Sequence, residues 1–172
     1  MDLLELAKAR WSVRKFSLRP LEQEKLERIL EAGRAAPTAA NFQPQHIYVL
    51  QSEEALARIN SLCRCIYGAK TVLLLSYDTE RDWKNPQQAG IHSGEQDVSI
   101  VATHIMLSAW EQGVASCWVN AFANDQVAAA FGLPERERVV LLLPLGYAAE
   151  DAKPMEKWHF SRKPLADTVT FL

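Results

Sequence analysis

Arg10, Ser12 and Arg14 alternate along the stretch Arg10-Trp11-Ser12-Val13-Arg14-Lys15-Phe16. In an extended or turning segment alternate side chains leave on the same side, so two guanidiniums would flank one hydroxyl. That is good chemistry for a phosphate. Arginine offers a planar fork of donors, and each charge-assisted hydrogen bond contributes roughly 1.5–3 kcal/mol. The same residue types also make a solvated basic turn. A second basic cluster, Arg162 and Lys163, lies near the other end of the chain. Tail lysines and arginines are usually solvated. Two clusters from opposite ends can nonetheless converge in a fold, and three arginines would neutralise a dianionic phosphate.

Other residues with chemical potential point nowhere as sharply. Cys63, Cys65 and Cys117 are an odd set that fits no disulfide framework. Cys63-Arg64-Cys65 is poor metal-ligand spacing, so buried free thiols are expected and no metal site. Cys117 reads as an inert buried thiol. His104 stands in an apolar helix without a nearby carboxylate partner in sequence, which reads as a core or interface histidine. There is no G-x-G-x-x-G fingerprint and no Walker loop, so a nicotinamide cofactor would not be held on a Rossmann motif.

The elements that must position these groups follow from periodicity and punctuation. Asp2 can cap a first helix bearing Leu3, Leu6 and Ala7 on one face. A second helix is expected over 20–36, with Pro20 in its first turn and Leu26, Ile29, Leu30 and Gly33 as its apolar stripe. The stretch from Pro37 to Pro44 is a loop closed by proline at each end. Residues 46–51 alternate as a strand, and Ser52 can cap a short helix to Leu62. The runs 71–77 and 139–147 are continuously apolar and read as buried central strands. Between the first run and the longest helix (95–112) lies the polar segment 78–94, long enough to be functional or mobile. We expect it to be either a lid over a substrate or a surface loop. The helix 95–112 is apolar on most sides, so it should be buried on most sides, in part by a second subunit. Residues 114–122 are expected to form a strand and turn. Asn124 should cap a helix ended by Gly132.

Length and composition bound the class. The chain has 172 residues, 48% hydrophobic and 23% charged, with a formal net charge of −2. One globular domain over 1–172 is expected. The charge gives no general pull toward nucleic acid or membrane, and no apolar run reaches membrane-spanning length. Met-Asp-Leu-Leu-Glu is not a secretory leader. Reduced cysteines then suggest the cytoplasm.

Five stretches together carry a family resemblance. Arg10 to Phe16 resembles the R-x-S-x-R-x-F opening of the nitroreductase family of flavoenzymes. Pro37-Thr38-Ala39-Ala40-Asn41-Phe42-Gln43-Pro44 resembles its P-[ST]-[SA]-x-N-x-Q-P loop. Asp97 to Ala102 resembles the start of its central helix, which packs on its symmetry mate. Gly113 to Phe122 resembles its G-[LV]-x-[ST]-C-W-I-G-x-F segment, and Ser161 to Leu165 its late R-K-P-L.

The resemblance implies an α+β fold: a central, mainly antiparallel sheet of four or five strands flanked by helices, in an intertwined homodimer. It implies two FMN sites at the dimer interface, NAD(P)H as hydride donor through flavin N5, and a nitroaromatic, quinone or similar small acceptor. Arg10, Trp11, Ser12, Arg162 and Lys163 would lie at the phosphate end. Arg14 would lie nearer the pyrimidine edge, where negative charge develops on the reduced flavin, with the phosphate as its alternative place. Thr38, Ala39, Asn41 and Gln43 would complete the site from the partner chain. Trp118, Val119 and Asn120 would pass beside the flavin ring. The flavin carries the chemistry, so no catalytic side chain is required.

The chain departs from the family pattern in places. Ala39 lacks the common hydroxyl, and Asn120 replaces a glycine or glutamate. Leu62 and Cys65 are apolar where larger members place polar flavin contacts. These departures keep a second expectation open: a non-catalytic module that binds FMN or another phosphorylated metabolite.

Overall fold

The computed structural model describes residues 2–172. Its centre is a four-stranded, wholly antiparallel sheet of β1 (Gln45–Leu50), β2 (Thr71–Asp78), β3 (Ala115–Ser116) and β4 (Glu137–Gly146). The spatial order is β1-β2-β4-β3. Among the described residues six α-helices surround it: α1 (Leu3–Ala9), α2 (Gln23–Arg34), α3 (Glu53–Leu62), α4 (Gly94–Glu111), α5 (Asn124–Phe131) and α6 (Glu156–His159). The expected α+β architecture is what the chain adopts.

The two apolar runs form the central strands because both faces of the sheet are covered. Side chains alternate across a strand. Leu73, Leu75 and Tyr77 of β2, with Leu141, Leu143 and Leu145 of β4, face α2 and α4. Val72, Leu74 and Leu142 face the opposite way, toward Ile59 of α3 and Val127 of α5. Burying each large aliphatic side chain stabilises the fold by about 1.5–3 kcal/mol. The α2–α4 contact is close because Gly33 sits in it. A Cβ there would lie 2.7 Å from Ile105.

Several boundaries differ from the sequence expectation. Helix α2 starts at Gln23, not Pro20; Glu22 before it is extended, and Leu21 is buried as an anchor ahead of the helix. The expected strand 114–122 pairs fully only at Ala115 and Ser116. Its neighbour β4 carries Pro144, which has no N–H to donate. Cys117 N–H still reaches Pro144 O at 3.2 Å, and pairing resumes only as a bridge between Val119 and Leu142. Asn124 does not cap α5: Ala123 holds the cap position, and the Asn124 amide instead donates to Val139 O at 2.7 Å.

Helix α4 is buried on one broad face only. Val98, Val101, Ala102, Ile105 and Ala109 are inside, whereas Ile100 is 38% exposed. His104 is also exposed, with Nδ1 beside Ile100 O of its own helix at 2.9 Å. The C-terminal residues 160–172 lie almost wholly on the surface, with Phe160 68% and Phe171 93% exposed. Among the described residues no helix is long and apolar enough to cross a membrane.

Candidate functional site

Helix α1 delivers the basic stretch. Asp2 and Glu5 close its first turn as a reciprocal capping box. The chain turns extended at Arg10 and lies along the edge of the sheet beyond β3. Val13 N–H donates to Ser116 O at 3.0 Å, and Ser12 bridges Ser116. Val13 and Phe16 are buried in the core. With Val13 inward, Arg10, Ser12 and Arg14 take the other side, as their alternation predicts.

There they form one wall of a cavity of about 340 Å³, open to solvent. Arg10, Trp11, Ser12 and Arg14 line it from the N-terminal side; Met155, Trp158, His159 and Arg162 line it from the C-terminal side. Arg162 is held by the end of α6: its Nη1 donates to His159 O and Ser161 O, each at 2.7 Å, and to Trp158 O at 3.3 Å. Those carbonyls would otherwise lack donors at a helix C-terminus. Arg14 donates to Ser12 O at 3.2 Å, and its guanidinium lies 5.3 Å from the centre of the Trp158 ring. Trp11 meets Trp110 of α4 edge-on, with ring centres 6.4 Å apart.

The charge balance of this cavity is unusual. Among the described residues none of the three guanidiniums has a carboxylate partner. Burial, and then the like charge of Arg162, hold Arg10 below the ordinary arginine value. Three cations facing one cavity without a counter-ion fit a dianion such as a phosphate ester. Burial pushes the nearby Cys117 thiol up despite the pull of Arg14, which disfavours the nucleophilic thiolate.

The remaining expected site residues lie elsewhere on this chain. Val119 is buried and exchanges two 3.0 Å hydrogen bonds with Leu142. Trp118 is half-buried, and its Nε1 donates to the exposed Asn120 side chain at 3.0 Å. Lys163 is exposed and is not part of the cavity wall. Thr38, Ala39, Asn41 and Gln43 belong to a loop beside the start of α4. Ala39 N–H donates to Asp97 Oδ1 at 2.9 Å, and Gln43 N–H donates to Thr38 Oγ1 at 3.1 Å. Met155, Trp158 and His159 escape sequence reasoning. The only signal for them is a pair of aromatic residues just before Arg162 in a polar tail.

A different electrostatic pattern occupies the far end of the sheet. Glu137 is buried and accepts from Ser76 Oγ at 2.7 Å and Tyr48 Oη at 2.9 Å, with His46 Nδ1 at 3.0 Å. Burial pushes its carboxyl up, but these bonds together outweigh burial and hold it below the ordinary glutamate range. Asp82, also buried, pairs with Lys84 and with His92 Nδ1, the latter at 2.8 Å. The segment around them is folded, with Lys84 bridging His92 and Asn85 N–H on Ile91 O.

Comparison with known proteins agrees with the architecture. A nitroreductase family protein of Clostridium difficile 630 superposes with a TM-score of 0.92. It is 36% identical, with 99% of this chain and 98% of that one covered. A provisionally named nitroreductase of Exiguobacterium sibiricum 255-15, solved in complex with FMN, shares the fold at a TM-score of 0.83 and 22% identity. That match covers 100% of this chain and 98% of the other. A Methanothermobacter thermautotrophicus protein, provisionally named an NADH dehydrogenase/NAD(P)H nitroreductase, is 27% identical over 175 residues, covering 92% of this chain and 88% of its own. The family model described as "Nitroreductase family" matches residues 7–67 and 63–147, which takes in the Arg10 wall, both central strands and α4. With its fold, its motifs and that match in agreement, the chain belongs to the nitroreductase family.

Proposed function

We propose that this protein is an FMN-dependent oxidoreductase that works in the cytoplasm as an intertwined homodimer, each 1–172 chain forming one domain. NAD(P)H would reduce it, and a small acceptor such as a nitroaromatic or a quinone would reoxidise it. The observation that carries this reading is the set of three guanidiniums around one cavity, none paired with a carboxylate among the described residues. The FMN complex of the Exiguobacterium relative and the nicotinamide names of other relatives support the choice of cofactor and donor.

When bound, the flavin supplies two-electron hydride chemistry. The chain's own residues would hold and tune it. Arg10, Ser12 and Arg162 would grip the phosphate, with Trp11 beside it. Arg14 lines the same cavity, which favours a place at the phosphate over the pyrimidine edge. Thr38, Ala39, Asn41 and Gln43 would reach the flavin of the other protomer, and Trp118, Val119 and Asn120 would flank its ring. The exposed apolar surface of the C-terminal segment and of Ile100 on α4 supports burial against a second copy. The dimer would therefore complete a site that a lone chain leaves open.

The test is the double variant Arg10→Ala/Arg162→Ala. Removing two charge-assisted contacts at roughly 1.5–3 kcal/mol each should weaken flavin binding by about 10²- to 10⁴-fold. A colourless but folded dimer is the expected product. Full flavin retention would overturn the phosphate assignment. Bleaching of the yellow wild-type protein by NAD(P)H without air separates an enzyme from a flavin store.

A further inference from the structure

Two loops meet at one buried carboxylate. Asp97, in the first turn of α4, is only 2% exposed. Its Oδ1 accepts the Ala39 N–H at 2.9 Å, and its Oδ2 accepts the Ser93 hydroxyl at 2.6 Å. Ser93, itself buried, accepts the Trp83 N–H on Oγ at 3.2 Å and donates its own N–H to Trp83 O at 3.0 Å. One side chain of α4 therefore ties the loop 38–43 to the segment 79–93.

The loop it ties is strained. Ala40, Asn41 and Gln43 have φ of 49°, 58° and 50°. Left-handed backbone at non-glycine residues costs about 1 kcal/mol or more each, and it persists only where the surroundings over-determine it. Inside the loop, Thr38 supplies two bonds: its carbonyl takes the Asn41 N–H and its hydroxyl takes the Gln43 N–H. From outside the loop, among the described residues, Asp97 alone hydrogen-bonds to residues 38–43.

We propose that Asp97 is a positioning residue. It fixes the strained loop in one conformation and couples it through Ser93 to the segment 79–93, so that flavin grip and acceptor selection change together. This rests on the reading above, in which loop 38–43 meets the flavin of the other protomer. The segment 79–93 adds a cavity of about 680 Å³, lined in part by Tyr77, Asp82, Ile91 and His92. That cavity is the surface whose shape the coupling would transmit.

The experiment compares Asp97→Ala, Asp97→Asn and Ser93→Ala with the wild-type dimer and with Arg10→Ala/Arg162→Ala. Flavin affinity is read by FMN fluorescence on the stripped protein. KM and kcat are read with NADPH against menadione and against p-nitrobenzoate, at saturating FMN, and thermal unfolding is followed without flavin. Loss of a bond to a charged group predicts that Asp97→Ala weakens FMN by about tenfold or more. Its KM should rise for both acceptors by unequal factors, with kcat little changed. Asp97→Asn keeps an oxygen for the Ala39 N–H and should recover most of the flavin affinity. Ser93→Ala leaves the Ala39 bond in place, yet should still shift the ratio of the two acceptor KM values. The proposal is overturned if Asp97→Ala lowers only the unfolding temperature, or if Ser93→Ala leaves the KM ratio unchanged. If Asp97→Ala does not fold, the Asn and Ser93 variants decide. Should the arginine double variant keep its flavin, the site reading itself has failed. Should it lose flavin while Asp97→Ala does not, only the positioning role has failed.

Discussion

The two ends of the sheet treat charge in opposite ways. Where β3 meets the extended N-terminal stretch, three arginines share a cavity with no carboxylate partner among the described residues. Where β2 runs out beside the start of β4, three carboxylates are buried and each is met by donors: Glu137, Asp82 and Asp97. A buried charge with a full set of donors is a piece of architecture. Like charges crowded without a partner destabilise the chain that carries them, and are retained where a ligand brings the opposite charge. The contrast supports the proposal that the cationic end holds the flavin phosphate.

The largest expected effect breaks the contrast at its cationic end. Arg10→Glu would give Arg14 and Arg162 an internal partner. Flavin binding should fall by about 10³-fold or more, because one contact is lost and a repulsive charge is added. Thermal stability of the apo protein should hold or rise. A drop in both would mean that the arginines are structural, and spectrophotometric titration beside calorimetry checks it. At the anionic end the order reverses. Glu137→Ala strands three donors, one of them the buried Ser76 hydroxyl, and should cost about 3–5 kcal/mol of unfolding free energy in denaturant titration. The flavin affinity of the folded fraction should not change.

The same carboxylate gives a pH signature. Glu137 titrates below its unfolded value, so its contribution is fully present above the ordinary glutamate pKa and is lost as pH falls through the lowered one. The stability gap between wild type and Glu137→Gln should therefore narrow toward acid; a gap that is flat with pH would contradict the assignment. Gly33→Ala probes the packing between the two ends. A methyl 2.7 Å from Ile105 should cost about 1–3 kcal/mol by overcrowding, measurable as a lowered denaturation midpoint. The smallest effect belongs to the surface pair Arg34–Glu31, which is exposed on both sides. Its removal should leave the unfolding midpoint unchanged.

Much of this was legible in residue order. The two apolar runs announced β2 and β4, because strands covered on both faces need no polar alternation. The Arg10-Ser12-Arg14 alternation survived because Val13 gave it an inward anchor. What escaped was whatever depended on a distant neighbour. The strand after Gly113 is cut short by Pro144 of another strand, which no local window contains. The Ala39–Asp97 bond spans 58 residues. Trp158 and His159 sit on or beside a single helical turn too short to show periodicity, so the tail read only as charge. Likewise, pairing of charges is a property of contacts, which is why paired and unpaired clusters looked alike before the fold was known.

The cavity takes one wall from before the first strand and the other from after the last. During synthesis Arg10 emerges early and Arg162 only after every strand of the sheet has been made. A phosphate gripped from both walls, as proposed, would bind only after the sheet is complete, and would not guide its assembly. The same arrangement exposes a weak seam in the finished molecule: Lys157 lies on the surface between Met155 and Trp158. A trypsin cut there would free Arg162 from Arg10 while sparing the core, so bound flavin should shield that peptide bond from the protease.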